Sequence, residues 1–368
     1  MRKCLSYFTA WARRVGMSNV RVDAAGNFRA QVPGRSSRSL MIGSHLDTVP
    51  NAGAFDGVLG VVLGMAIAEE FVSKPPGCTL EIVGFSEEEG VRFGRPFIGS
   101  VACTDGLSEE FLLLKDKDGS SVSEAIARFG LDLDSVRSPQ MQAADAYLEF
   151  HIEQGPVLES LNLPLGVVDT IAGQSRAAMS FIGHANHAGT TPMNLRKDAF
   201  CAAAEWTLWV EDRAKQCAGL VATVGRVEVT PGAVNIVPGA ALVSLDLRHA
   251  LDRVRSTALA EILSAGREIA TRRSVIFQSS VQLEQASVPM DKHLVTMVDR
   301  AVAAAGVTPK RITSGAGHDA MILARRVPTA MIFLRSPGGI SHHPDENVLV
   351  EDVALALKAG RVFVEEFV

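Results

Sequence analysis

His45, Asp47 and Asp56 stand within one glycine-rich segment, GSHLDTVPNAGAFDG at residues 43–57, directly after the apolar run Leu40, Met41, Ile42. An imidazole and two carboxylates set this closely are costly to place unless a cation uses them. The rest of the chain adds further ligand types: the acidic triplet Glu87, Glu88, Glu89 ends one apolar run, His151 ends another, and His342 and His343 lie in a glycine-containing loop. Candidate ligands are therefore His45, Asp56, one of Glu87, Glu88 or Glu89, His151, and His342 or His343. Imidazole mixed with carboxylate suits zinc, manganese or cobalt, whereas calcium takes oxygen alone. Such a set exceeds one tetrahedral catalytic site and fits two divalent ions sharing a bridging carboxylate. Asp47, two residues after His45, is placed to accept the second ring N–H of that histidine and fix its tautomer. Each piece alone has a plainer meaning, since a loop histidine is usually just polar and an acidic triplet usually a solvated turn. Their joint occurrence at the ends of apolar runs points to a metal centre.

Those runs are the elements that must position the ligands. Residues 4–16 read as a helix and 20–32 as a hairpin turning at 23–26. Residues 38–44, 79–86 and 147–152 read as buried strands, and 57–72 as a helix. Strands alternating with helices predict an α/β sheet, and in such sheets sites gather at the carboxyl ends of the strands. The texture changes after residue 173: strands at 176–184, 220–229, 234–248 and 274–284, one long helix at 194–217 and another at 252–272 predict an α+β domain. The first pattern returns with a helix at 291–305, a glycine loop at 314–317, a strand at 329–335, a loop at 336–347 and a helix at 351–366. The expected architecture is a discontinuous α/β catalytic domain, 1–173 and 288–368, with an inserted α+β domain at 174–287.

A chain of 368 residues, 47% apolar and 21% charged, has the composition of a globular protein with a sizeable core. Its net charge of −5, without a basic stripe, argues against nucleic acid as a partner. Five cysteines, at 4, 78, 103, 201 and 217, are odd in number and lack CxxC spacing, which argues for free thiols in a reducing compartment. The longest apolar stretch, 57–68, is too short to span a bilayer, so no membrane partner is expected. The N-terminus reads as an amphipathic helix and not as a signal peptide, so the cytoplasm is the expected location.

Seven segments in order, GSHLDTVPNAGAFDG, SEEEGVRF, HIEQGPVLE, GHANHAGTTPM, VNIVPGAALVSLDLRH, SGAGHDAM and GGISHHPDE, resemble the hydantoinase/carbamoylase branch of the zinc amidohydrolases related to glutamate carboxypeptidases and aminoacylases. The resemblance covers nearly the whole chain. It departs at the start, where members of the branch usually carry a further segment before the opening helix. The resemblance implies a metallopeptidase-like catalytic domain with a dimerisation (lid) insert. It implies that His45 and His151 hold one metal ion and Glu89 and His342 the other, with Asp56 bridging and Glu88 as general base. His187 would act at the site of the neighbouring subunit, so a homodimer is implied; its plainer alternative is a loop histidine beside a helix start, which fits His184 better. Asn235 and Arg248 would bind a substrate carboxylate, Gln154 the ureido end, and His318 would make a further contact beside Gly317, where the backbone could approach the ligand. Arg248 also has a simpler expected partner, Asp246, and Arg92 is expected to brace the acidic turn.

The implied activity is hydrolysis of an N-carbamoyl (ureido) C–N bond, releasing ammonia, carbon dioxide and an amine from a small substrate bearing a carboxylate. Allantoate is the favoured substrate, because residues 163–174 look more like allantoate-cleaving members. N-carbamoyl-L-amino acids, or a β-ureidopropionase activity, come next. A dipeptidase or aminoacylase, or a non-catalytic metal- or ligand-binding protein on the same fold, is more remote. The two metal ions are expected to be zinc or manganese, with cobalt able to replace them.

Overall fold

A computed structural model describes residues 1–367 and divides the chain into two compact units, Met1–Thr170 with residues 290 onward, and Ile171–Pro289.

The first unit is built on a mixed sheet whose neighbouring strands run Ser18–Val22, Phe28–Val32, Thr79–Phe85, Ser39–His45, Ala146–Ile152, Thr329–Leu334 and Leu165–Ile171, with Arg311–Ser314 also paired to the last. The four central strands are mutually parallel, with Gly43 opposite Glu149, His45 opposite Phe85 and Phe333 opposite His151. This register brings their carboxyl ends to one edge. The central strands are buried on both faces and are mainly apolar for that reason, with Glu81, Glu149 and His151 as the ionisable exceptions before their carboxyl ends. The outer strands pair antiparallel, Phe28–Val32 with Thr79–Phe85 and Leu165–Ile171 with Thr329–Leu334.

Helix Val58–Val72 is apolar nearly all round and packs on the three strands around Ser39–His45. Gly60 makes that approach possible, because a Cβ there would lie 2.1 Å from the Phe150 carbonyl oxygen. Helix Val350–Glu366 packs on it and on Lys292–Ala304. The turn expected at 23–26 is closed by Asp23, whose Oδ1 accepts the Ala25 and Asn27 N–H groups. No helix among the described residues is long and apolar enough to cross a membrane.

The second unit is an antiparallel sheet in the order Val227–Thr230, Ala240–His249, Gly173–Ile182, Ile276–Gln285, with Val221–Thr223 also on Ala240–His249. Alternate residues of Gly173–Ile182 are buried, and helices Ala199–Lys215 and Asp252–Arg272 pack against one another and the sheet. Trp206 fills this core and donates its indole N–H to the Ile262 carbonyl at 3.0 Å.

Several elements differ from expectation. The long helix at 194–217 is a short turn at Met193–Leu195 followed by Ala199–Lys215, because Asp198 caps the helix by accepting the Phe200 and Cys201 N–H groups. The strand expected at 220–229 is two strands, Val221–Thr223 and Val227–Thr230, and that at 234–248 is broken after Val237, where Pro238 cannot donate to a ladder. Residues 90–146, for which the sequence predicts no element, hold helices Ile98–Thr104 and Val122–Phe129; Ser121 and Glu124 form a capping box at the start of the second. Leu165–Ile171 and Arg311–Ser314 are strands that the periodicity did not reveal.

Candidate metal centre

The carboxyl ends of the parallel strands carry the polar cluster. His45 is the last residue of its strand and His151 lies near the end of its own, so their rings meet with Nε2 atoms 3.3 Å apart. Asp56, in the loop before helix Val58–Val72, faces both: its Oδ1 is 3.2 Å from His151 Nε2 and 3.7 Å from His45 Nε2. Its other oxygen, Oδ2, is 3.0 Å from His342 Nε2, and Glu89 Oε1 is 3.4 Å from that same nitrogen. Asp56 therefore stands between two groups, His45 with His151 on one side and Glu89 with His342 on the other, and each set lies close enough to hold a cation. Glu88 points into the first group, Oε2 3.9 Å from His45 Nε2. His343 turns away and is exposed, its Nδ1 3.6 Å from Asp345. Glu87 stands aside in a left-handed conformation at φ 53°.

The backbone is shaped around the cluster. Besides Glu87, Gln154 (φ 59°) and His342 (φ 56°) occupy the left-handed region, a cost that is tolerated where the surroundings fix the conformation. Gly57, at φ 68°, leaves room for the imidazole, since a Cβ there would lie 2.3 Å from the His45 ring. The His45 Nδ1 pairs with the main-chain oxygen of Asp47 at 2.9 Å and His151 Nδ1 with that of Ile152 at 2.9 Å, which leaves both Nε2 atoms facing the cluster.

Charges in the cluster are strongly interdependent. Burial pulls the His45 imidazole down, and the neighbouring His151 adds to this. Burial also acts against protonated His151, but the Asp56 carboxylate outweighs it and carries this histidine up to about 9. Burial works against the charge on Asp56, yet its three histidine neighbours hold the carboxyl well below its usual range. Burial, reinforced by Asp56, pushes Glu89 up to about 7. Burial and the nearby Asp319 and Glu89 charges hold Glu88 well above the carboxylate range. Asp56 Oδ1 and Glu89 Oε1 are buried without a hydrogen bond. Unsatisfied buried carboxylate oxygens facing imidazole nitrogens are what a divalent ion would relieve, so the residues present fit the metal pair.

Five other expected residues have these surroundings. The Asp47 carboxylate does not take the His45 ring N–H; Oδ1 is 4.0 Å from Nδ1, and the two oxygens accept the main-chain N–H groups of Glu88 (2.9 Å) and Glu89 (3.1 Å) instead. The acidic loop offers two donors where the ring offers one, and the Asp47 main-chain oxygen already satisfies the ring. His318 is buried behind His151, ring centroids 4.4 Å apart, with Nε2 2.8 Å from the Ser314 hydroxyl. Burial, with His151 close by, holds its imidazole well below the usual range. Gly317 is close to a side chain: a Cβ there would lie 2.9 Å from the Phe97 ring. Gln154 donates through Nε2 to Asp56 Oδ2 at 3.0 Å and to Ser341 at 3.2 Å. Arg92 pairs with Asp116 at 3.2 Å and stacks over Phe93, while its charge also acts on Glu87 of the acidic turn.

The remaining expected residues lie in the second unit. His187 and Asn235 are exposed and adjacent, since Ile236 pairs with His187 and the Ala188 N–H donates to the Asn235 carbonyl at 2.9 Å. Arg248 takes its simpler partner: Nε is 2.7 Å from Asp246 Oδ1 and Nη2 3.1 Å from Oδ2, and Arg176 shares the same carboxylate at 3.0 Å.

Two acids escaped the sequence. Glu149 is fully buried two residues before His151, on the same strand face, and accepts from Tyr147, the Ala320 N–H and Ser44; burial pushes it up to about 7. An acid inside an otherwise apolar strand was the available signal. Glu346 accepts the main-chain N–H groups of Phe55 and Asp56, each at 3.0 Å. It follows the histidine pair in SHHPDE, and nothing in that string marks it as buried.

Residues 41–366 match the family model for peptidase family M20/M25/M40. A probable allantoate deiminase from Oryza sativa subsp. japonica is 36% identical, the alignment covering 97% of this chain and 80% of the relative. An N-carbamoyl-L-amino acid amidohydrolase from Geobacillus stearothermophilus is 37% identical over 96% of this chain and 88% of the relative. The crystal structure of an amidase of the hydantoinase/carbamoylase family from Burkholderia multivorans superposes with a TM-score of 0.92 at 31% identity, covering 98% of this chain and 88% of that one.

Proposed function

The chain belongs to peptidase family M20/M25/M40, and from that premise we propose that it is a two-metal amidohydrolase that cleaves a ureido C–N bond in a small carboxylate-bearing substrate. The observation that carries this is the divided Asp56 carboxylate, one oxygen 3.2 Å from His151 Nε2 and the other 3.0 Å from His342 Nε2. His45 and His151 would hold one ion, Glu89 and His342 the other, and Asp56 both. When bound, a pair of zinc or manganese ions supplies Lewis acidity toward a water and a carbonyl oxygen. Glu88 would then take the proton of the attacking water and deliver it to the leaving nitrogen.

Gln154, held beside Asp56 by its hydrogen bond, would meet the ureido end. The guanidinium of Arg248 suits a substrate carboxylate, with Asn235 assisting. In this proposal His187 steadies the oxyanion at the site of a neighbouring copy, so the working unit is a homodimer in which residues 174–287 serve as lid and dimerisation domain; its exposure suits that task.

Allantoate is the first substrate to test, supported by relatives such as the rice protein. N-carbamoyl-L-amino acids are the second, supported by the similarly identical Geobacillus relative. The run 163–174, which favoured allantoate in the sequence, falls largely on the buried strand Leu165–Ile171 and carries less weight than it did there. Ammonia release should be measured from allantoate and a panel of N-carbamoyl amino acids, with manganese added, for the wild type and Glu88→Gln. Release from a panel member, lost in Glu88→Gln with metal content retained, is expected. An undiminished Glu88→Gln rate, or full turnover by metal-free protein, defeats the proposal. Mixing His187→Ala and Glu88→Gln subunits tests the shared site: verified heterodimers should regain part of the activity.

A further inference from the structure

We propose that Glu346 is a positioning residue that clasps the His342 turn onto the Asp56 loop, so that the second half of the metal pair depends on it. The inference rests on the two-metal reading above. Glu346 is 4% exposed and is not among the candidate ligands, yet both its oxygens are engaged. Oε1 accepts the main-chain N–H groups of Phe55 and Asp56, each at 3.0 Å. Oε2 accepts the hydroxyl of Ser341 at 3.1 Å. Ser341 immediately precedes His342, and the turn is closed by the Glu346 N–H donating to the His343 carbonyl at 3.0 Å. One carboxylate thus joins two loops separated by 290 residues of sequence, each of which carries a ligand.

The fit is tight. A Cβ at Gly53 would lie 2.3 Å from the Glu346 Cβ, so the loop around Asp56 wraps directly on this side chain. The two halves of the metal pair are supported unequally. His45 and His151 sit on adjacent parallel strands in the middle of the sheet, whereas His342 sits on a turn at φ 56°, in the left-handed region. A turn strained in this way holds its shape only when its surroundings fix it. Glu346 supplies that fixing, and does so as a hydrogen-bond acceptor of the right length more than as a charge.

The test is zinc binding by the metal-free full chain, titrated against a competing chelator, with circular dichroism to verify folding. Wild type should bind two ions. Glu346→Ala should keep the first and bind the second about 10–100-fold more weakly, the range for residues that orient ligands. Glu346→Gln, which keeps the acceptor oxygen and the length, should restore the second ion; Glu346→Asp, which is shorter, should not. Ser341→Ala, which cuts the link to the His342 turn and spares the amides of Phe55 and Asp56, should weaken the second ion also, and it stands in if Glu346→Ala does not fold. A folded Glu346→Ala with both ions at wild-type affinity overturns the clasp, as does Ser341→Ala with both unaffected, equal weakening of both ions, or failure of Glu346→Gln to restore binding. Fewer than two ions on the wild type would defeat the two-metal reading itself, a result visible before any variant is compared.

Discussion

The carboxylate of Asp47 holds Glu88 by its backbone, Oδ1 accepting the Glu88 main-chain N–H at 2.9 Å. Its second oxygen does the same for Glu89 at 3.1 Å, so one side chain sets the direction of both the proposed proton carrier and a proposed ligand. Asp47→Ala should lower kcat by about 10–100-fold, the cost of losing a residue that orients ligands. Asp47→Asn should fall between it and the wild type, because its amide NH2 would meet one of the two N–H donors. Steady-state kinetics with metal content measured on the same samples checks this; equal kcat in all three proteins would contradict it.

Gly57→Ala should injure the His45 side of the cluster. The added Cβ would lie 2.3 Å from the imidazole at a backbone φ of 68°, so the ring must move. A loss of about 1–3 kcal/mol in stability is expected from overpacking and backbone strain. Thermal unfolding should show it in the metal-free protein, and zinc titration should show weakened binding; an unchanged transition with normal zinc affinity would count against the crowding.

Metal removal should destabilise as well as inactivate. Asp56 Oδ1 and Glu89 Oε1 are buried without hydrogen bonds, and a cation relieves both. An ion present at a thousand times its Kd adds about 4 kcal/mol to the folded state. Chelator-treated protein should melt earlier and recover on adding zinc or manganese, while magnesium, which prefers oxygen ligands and retains its waters, should do less. Identical melting with and without chelator would contradict the prediction.

The cysteines should differ in reactivity. Cys78 and Cys103 are buried, and burial pushes their thiols up to about 11 and about 12. Cys201 is exposed. At pH 8 an alkylating reagent should label Cys201 in the native protein and reach Cys78 and Cys103 only after unfolding, as peptide mass spectrometry would report. Early labelling of Cys103 would contradict this.

Acid should weaken the second unit through Asp246. Burial works against this carboxylate, but Arg248, Arg176 and Gln174 outweigh it and hold its pKa below the ordinary 3.8. A depressed acid contributes stability that is fully present above 3.8 and is lost as pH falls through the lower folded value. Asp246→Asn should therefore be less stable than wild type near neutrality and converge with it in acid. Denaturant unfolding of both proteins between neutral pH and strong acid tests the convergence; parallel curves would exclude it.

Much of the candidate centre was legible because its residues end apolar strands: His45, Glu89 and His151 follow runs whose burial is visible in composition. The division of labour within His342 and His343 was carried by resemblance, and the structure separates them by direction, one toward Asp56 and the other into solvent. The role of Asp47 was misplaced because it depends on which of its oxygens the loop turns toward the ring, a matter of backbone geometry. His318 was expected at the substrate and Glu346 was passed over for one shared reason: single polar residues give no sign of their own burial when their cover comes from distant chain. Asp198 and Ser121 are different, since both are cap residues whose types and positions mark helix starts in the sequence itself.

The wide sequence separation of the cluster also sets an order of events during synthesis. His45, Asp56, Glu89 and His151 leave the ribosome long before His342 and Glu346, and the strand Thr329–Leu334 that lies between Ala146–Ile152 and Leu165–Ile171 is made late. A nascent chain therefore exposes four of the five proposed ligands while the sheet still lacks an inner strand. On the proposed ligand set, full metallation waits for nearly the whole polypeptide, which ties acquisition of the second ion to completion of folding and makes premature termination upstream of residue 342 a route to metal-starved protein.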